Sequence, residues 1–425
     1  VVPTLTDIYL EVARRVDGSA LLREAVTAHR DLLPGGRWNL LAVGKAAFPM
    51  FEGLASTAGI DRIARGLIVA PQTRFPKDWQ GPARVRAIIS DHPDPSARSV
   101  AAAKAARELV AGLRPDDSLV VLLSGGGSAA LCAPADGLTL EDKRATTKAV
   151  ARGGATIGEL NTVRKHLSGI KGGQLALATQ APTVVLTLSD VVGNDPSTIA
   201  SGPFSADSTT FAEALAIVRR LAPDAPASIV YRLEQGAAGA LPETPKPGDP
   251  RLAHVRYAIL AGPERVAAEA RQAIQAAGVA IGQLSSNIED PVPDVAALYG
   301  SRARSERSIG ARPRVLVGNG EPAIVVRGHG RGGRATHLAL MMAREIAGLS
   351  NVSFLAAGTD DRDGASDASG AVIDGATWAR AVAAGLDPAG ALERNDSATP
   401  LEAMGCLVRG PGTSNLLDVH LLAFA

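Results

Sequence analysis

The sequence is poor in aromatic residues, which make up 3% of its 425 positions. Platforms that stack unpaired bases need aromatic side chains, so a single-stranded nucleic-acid binder is not the expected class. Neither sign of charge dominates: 44 lysines and arginines face 43 aspartates and glutamates, for a formal net charge of +1. That balance gives no global field for DNA or an anionic membrane, so any anion recognition must be local. Cysteine is scarce as well. Cys132 and Cys406 stand in no CxxC pair; they form no disulfide framework and fit a reducing, cytoplasmic compartment. The histidines show no HExxH or comparable metal-ligand spacing. No uninterrupted apolar run reaches the roughly 18 residues of a membrane span. The opening VVPTLTDIYLEVARRVDG is an amphipathic helix pattern broken by charges, not a signal-peptide core. The chain opens on Val1 instead of methionine, as expected of a trimmed or processed chain.

What is present is ordinary for a folded globular protein: 46% apolar and 20% charged residues. The length predicts two or three domains with room for real cores. Short apolar runs at Leu40–Val43, Gly66–Ala70, Val85–Ile89, Leu119–Leu123 and Thr183–Leu188 read as buried strands. Ser96–Leu113, Thr139–Ala151 and Ile157–Leu167 carry helical spacing between them. Strand and helix in alternation predict a parallel α/β sheet covered on both faces. Gln235–Pro250, rich in Gly, Pro and Ala, is the expected boundary, giving domains over residues 1–240 and 251–425. Beyond it, Tyr257–Leu260, Val279–Leu284, Arg314–Val317, Ala323–Arg327, Val352–Ala356 and Leu416–Ala425 read as strands, and Glu264–Ala277 as a helix. The basic run Ser301–Arg314 reads as a solvated surface loop.

Ligands of open α/β sheets sit in the loops at the carboxyl ends of strands, and the polar residues cluster there. After the first strand, Gly44 and Lys45 open a helix, where a lysine suits a bound anion. It is not a Walker A loop, because Asn39 and Ala46 stand at two of its required positions. Ser124, Gly125, Gly126, Gly127 and Ser128 follow another strand. Three glycines let backbone approach a ligand and form an anion nest, more than a tight turn needs. The helix ending before Gly172 carries Asn161, Arg164, Lys165, His166 and then Lys171, more cation than a helix C-terminus needs, and Arg and Lys are the usual carboxylate and phosphate binders. Asp190 and Asp195 follow the strand Thr183–Leu188. Phosphoryl transfer wants one carboxylate for Mg2+ and one to orient or deprotonate the acceptor; Asx turns are the plainer reading.

Gly328, Gly330 and Gly333 form a literal GxGxxG before a helix, the best case for a nicotinamide-dependent reductase. Arg331 and Arg334 inside that loop suit a triphosphate better. The acidic loop Gly358–Asp367, with Asp360 and Asp363, resembles hard-cation ligation without matching an EF-hand. Asn395–Ser397 and Gly410–Asn415, which includes Thr413, add two more polar loops.

In this order the motifs GKAA, HPDP, SGGGSA, ELNTVRKHLSGIKGG, SDVVGNDPSTIASGP, GHGRGGR, GTDDRDGASDASGA, NDS and GPGTSN span nearly the whole chain. Together they resemble the class II glycerate 2-kinase family, whose members often carry the label hydroxypyruvate reductase. The resemblance implies a Rossmann-like N-terminal domain, a smaller C-terminal α/β domain of MOFRL type, and an active site in the cleft between them. It implies ATP and Mg2+, and phosphorylation of D-glycerate at the 2-hydroxyl. Lys45, Asp190, Arg331 and Arg334 become the catalytic candidates. Gly44, Ser124–Ser128, Asn161, Arg164, Lys165, Lys171, Glu321, Gly328, Gly330, Asn395, Thr413 and Asn415 become candidates for substrate or ATP contact, and Asp195, Asp360 and Asp363 for metal. The partner is then a small hydroxy acid, with no nucleic acid or membrane, and a homodimer is the expected assembly. Three places depart from the family pattern: Ala335–His337 stand for Asn-Gln-Glu, Asn194 for an aspartate, and Gly318–Pro322 for GGET. The alternatives are a kinase for a related hydroxy acid, an NAD(P)H-linked hydroxypyruvate reductase, and a sensor that has kept the fold without the chemistry.

Overall fold

The computed structural model describes residues 4–76, 78–306 and 313–425. The strands in chain order are β1 (Trp38–Val43), β2 (Ile63–Pro71), β3 (Val85–Ser90), β4 (Leu119–Ser124), β5 (Thr183–Leu188), β6 (Val255–Ala261), β7 (Ala280–Gln283), β8 (Arg314–Gly320), β9 (Val352–Asp360), β10 (Gly370–Asp374), β11 (Leu407–Val408) and β12 (Thr413–Phe424). They form two six-stranded sheets among the described residues. The chain divides into two compact units, Leu21–Leu260 and a second made of the residues up to Ala20 with Ala261–Ala425.

In the first unit the strand order is β3-β2-β1-β4-β5-β6, and the pairs from β3 through β5 are parallel. β1, β4 and β5 are buried along their whole length. That is why their sequences run apolar without alternation: helices cover both faces of a parallel sheet. The order reverses direction between β1 and β4, which places a crevice outside their carboxyl ends. Leu41, Val43, Val121 and Leu123 pack there against Ala102, Ala106 and Val110 of the helix Ala97–Ala111.

In the second unit the order is β11-β10-β9-β12-β8-β7. β12 lies antiparallel between β9 and β8, while β7 pairs parallel with β8. The helix Arg334–Glu345 buries Leu338, Ala339 and Met342 in this unit's core. The amphipathic helix Leu5–Arg15 belongs here, with Tyr9 fully buried and its hydroxyl donating to the Gly358 carbonyl at 2.8 Å.

Several expectations need correction. Gln235–Pro250 is not a free linker. The helix Ala227–Ala237 runs into it, and Thr244 is buried and bonded to Asp207 within the first unit. Both ends of the expected division move: the first helix joins the second unit, and the first unit runs on to Leu260. Ala323–Arg327 is no strand. Only an isolated bridge joins Pro291 to Ala323, and Val325 and Val326 are exposed with no partner strand. The basic run begins as the end of the helix Val292–Glu306, and its residues 307–312 lie outside those described.

Candidate active site

At the crevice of the first unit two glycine turns are stitched together. Lys45 N–H donates to the Gly125 carbonyl at 2.9 Å, and Ala46 N–H to Ser124 Oγ at 3.0 Å. Gly44 has φ +117°, and a Cβ there would collide with Ser124 and the Gly125 carbonyl, so only glycine permits this approach. Ser124, expected to touch a ligand, is fully buried and commits its hydroxyl to this seam. Gly126, at φ +82°, lies so near that a Cβ would sit 3.0 Å from Lys45 Cγ and 3.1 Å from the His92 ring. The helix Ala47–Leu54 begins directly behind Lys45 with no side-chain cap. The amides at that start are held within the seam, Ala46 N–H by Ser124 Oγ and Ala47 N–H by the Gly44 carbonyl, and Lys45 is the partly exposed cation beside them.

Beside this seam lies a polar node. Lys171 Nζ donates to the Ser128 carbonyl at 2.9 Å, Ser128 Oγ at 3.3 Å and the Ala200 carbonyl at 3.4 Å. Ser128 Oγ and Ser201 Oγ are bonded, Ser201 Oγ meets Asn161 Oδ1 at 3.0 Å, and Arg164 Nη1 reaches the same oxygen at 3.4 Å. Asn161, Arg164, Lys171 and Ser128, all candidates for substrate or ATP contact, are thus brought together in one node. Ser201 and Lys143 were missed. Lys143 is buried and donates to the Leu167 carbonyl at 2.9 Å; burial, with Arg164 and Arg232 nearby, pushes its pKa down to about 8. Its sequence setting, a charged helix face, gives no signal of this.

Lys165 needs a correction. It points the other way, into an internal ion pair with Asp207 at 3.1 Å, both side chains buried. Asp207 also accepts from Thr209 and Thr244. His166 is likewise held between the Thr162 carbonyl and Glu243. Asp190 stands just past the end of β5 and is half-buried. Asp195, expected at a metal, folds back on its own loop and accepts from Ser197 N–H, Ser197 Oγ and Thr198 Oγ1, the Asx-turn alternative. Asn194 has φ +56°, a conformation asparagine tolerates well.

In the second unit the GxGxxG loop is already occupied by protein. The amides of Gly333, Ala335 and Thr336 and the hydroxyl of Thr336 all donate to the Asp363 carboxylate. Asp363 therefore caps the helix Arg334–Glu345. Burial raises its pKa, and these donors oppose the shift. Gly328 and Gly330 are small because the backbone of Arg394–Asp396 lies against them. Asn395 Oδ1 accepts from the amides of Arg327 and Gly328 and so scaffolds the loop. Arg334 is clamped by Asp418, at 2.7 and 3.0 Å, and by Glu321. Burial disfavours its charge, but the two carboxylates outweigh this and raise its pKa. Arg331 is half-exposed and pairs with Glu402 at 2.8 Å. Asp360 ends β9 and accepts from the Asp361 amide. Thr413 pairs with Asp360 across the strands, and Asn415 is buried in β12. Asp418, missed in the sequence, is the residue that fixes Arg334.

Two of the three aspartates expected to hold Mg2+, Asp363 and Asp195, are committed elsewhere. Asp363 is spent on a helix end and Asp195 on a turn, and no group of three His, Cys, Asp or Glu side chains among the described residues could hold a metal ion. No helix among them is long and apolar enough to cross a membrane.

A sheet with strand order 3-2-1-4-5-6 and a lysine on a glycine turn at its reversal point defines an α/β protein of the doubly wound class. A family model described as a domain of unknown function, DUF4147, matches residues 4–234, and the MOFRL family model matches residues 314–418. The chain is 32% identical to a D-glycerate 2-kinase of Thermotoga maritima over 98% of its own length and 97% of that protein's. It is 38% identical to an Agrobacterium vitis protein bearing a hydroxypyruvate reductase name, over 97% of this chain and 94% of the other. A crystal structure of the Thermotoga maritima glycerate kinase superposes with a TM-score of 0.84 at 31% identity, covering 99% of this chain and 98% of that one. The chain belongs to the class II glycerate 2-kinase family, as the motif order predicted.

Proposed function

We propose that this protein is an ATP-dependent kinase that phosphorylates the 2-hydroxyl of D-glycerate, giving 2-phosphoglycerate and ADP. The observation that carries the reading is Lys45, a partly exposed cation on the glycine turn at the sheet's reversal point. Phosphoryl transfer asks the protein for positioning and charge stabilisation more than covalent chemistry. The bond from the γ-phosphorus to the β,γ-bridging oxygen breaks, and one from that phosphorus to the glycerate O2 forms. Lys45 offsets the charge moving onto the leaving phosphate. Asp190 takes the hydroxyl proton. Arg331 is the better arginine candidate for phosphate contact, because Arg334 already holds two carboxylates.

Lys45→Ala is expected to lower ADP formation with D-glycerate by at least a hundredfold while the thermal midpoint stays close to that of the parent. Near-normal turnover in this variant overturns the assignment. The reductase reading rests on the GxGxxG loop, and Asp363 fills the helix end that a dinucleotide pyrophosphate would need. Hydroxypyruvate is therefore expected to leave NADH and NADPH absorbance flat, and cofactor oxidation without ATP would restore that reading.

A further inference from the structure

We propose that Arg164 and the side-chain amide of Asn161 form the seat for the carboxylate of the acceptor acid, oriented by a one-way hydrogen-bond chain that starts at Lys171. The proposal rests on the kinase reading above and assigns that site its acid-group contact.

The direction of the chain follows from one residue. A guanidinium has donors only, so the Asn161 atom that Arg164 Nη1 meets at 3.4 Å is the carbonyl oxygen. Ser201 donates its hydroxyl proton to that same oxygen at 3.0 Å. Ser201 therefore has only lone pairs left for Ser128, and Ser128 must be the donor in their contact. Ser128 in turn accepts from Lys171 Nζ at 3.3 Å. Every hydroxyl proton is thus spent inside the node. What remains is the Nδ2 amide of Asn161 and the other N–H groups of Arg164, none with a protein partner among the described residues. Asn161 is only 5% exposed, yet its Nδ2 is not among the buried atoms that lack a partner, so the donor lies where solvent, or a ligand oxygen in its place, can reach it. The node offers donors and no acceptor.

The charge points the same way. Lys165 and His166, next in the chain, each have an acid against them. Arg164, Lys171 and Lys143 have no carboxylate against them: the ionisable neighbours of the two lysines are the buried Cys132 thiol and other cations, Arg164 among them. Both lysines bond to carbonyl or hydroxyl oxygens, and burial pushes Lys171 well below the usual lysine range. A site that supplies acids to its neighbours and withholds them here expects its anion from outside. A planar fork suits a carboxylate's two oxygens. A nucleotide phosphate shares that anionic chemistry, so the test separates the two sources.

Arg164→Gln and Asn161→Asp are compared with the parent by steady-state kinetics in D-glycerate and in ATP. Asn161→Asp sets a carboxylate against the incoming one and can still pair with Arg164. Loss of a charged hydrogen bond predicts a KM for D-glycerate raised about 10- to 100-fold in Arg164→Gln, with the KM for ATP within about twofold. Asn161→Asp is expected to shift the same constant in the same direction. A rise in the ATP constant alone assigns the node to phosphate and overturns the proposal, as does an unchanged glycerate constant in both variants. If the parent does not phosphorylate glycerate, the kinase reading fails by itself. Calorimetric titration of the parent and Arg164→Gln with D-glycerate then decides the seat: binding lost in the variant supports it, and equal binding or none in the parent overturns it.

Discussion

At the scale of single residues, the cations near the helix Ile157–His166 divide by what faces them. Lys165 is matched by Asp207 inside the fold, and both are buried. Removing one partner strands the other, which costs about 3–5 kcal/mol in known cases. Asp207→Ala is therefore expected to lower the urea midpoint strongly, and Arg164→Gln only slightly. Lys143 behaves oppositely. Its folded pKa is about 8, below the unfolded value of about 10.4. Between these values the unfolded chain binds more protons, so stability rises with pH across that window and the contribution is lost as pH falls through 8. The urea midpoint of the parent relative to Lys143→Met should therefore climb from pH 7.5 to pH 9.5. A constant difference would show that Lys143 does not titrate in the fold. The sequence could place Arg164 and Lys165 side by side, but not say which one is neutralised. Asp207 lies far along the chain and carries no motif.

At the scale of elements, two glycine loops that look alike in sequence end differently. At the helix Ala47–Leu54 the seam closes the start, Ala46 N–H donating to Ser124 Oγ and Ala47 N–H to the Gly44 carbonyl, whereas Asp363 closes the start of Arg334–Glu345 with bonds to three amides and the Thr336 hydroxyl. Asp363→Ala should orphan those amides and cost about 2 kcal/mol or more, read as a lowered thermal midpoint; Asp363→Asn should recover part of the loss. The buried strands β1, β4 and β5 were legible because their apolar runs lack alternation. β10 and β11 were not, being short and embedded beside polar loops. The strand expected at Ala323–Arg327 had the right residue types but no neighbour to pair with. The GxGxxG pattern was legible as a turn. Its occupant was not, because the capping carboxylate comes from a loop some thirty residues away.

At the scale of the whole molecule, the two units carry separate cores, and the tryptophans sample both. Trp38 is fully buried in β1, and Trp378 packs against the core of the second unit. Variants retaining only one of them, with the others changed to Phe, should show different urea midpoints by fluorescence. Coincident transitions would mean a single cooperative unit. Length and composition led to two or three domains with a boundary at Gln235–Pro250, a stretch that packs within the first unit. The membership of the first helix was not readable, because an amphipathic pattern says that a face is buried but not against what.

That membership has a consequence for synthesis. The helix Leu5–Arg15 leaves the ribosome before the unit Leu21–Leu260, yet the residues that cover Tyr9 and Ile8 lie beyond that intervening unit of about 240 residues. At roughly 5–20 residues per second the apolar face waits on the order of ten to fifty seconds for its partner. Over that interval the nascent chain presents a sticky amphipathic segment, a natural early client for a chaperone that recognises short apolar segments.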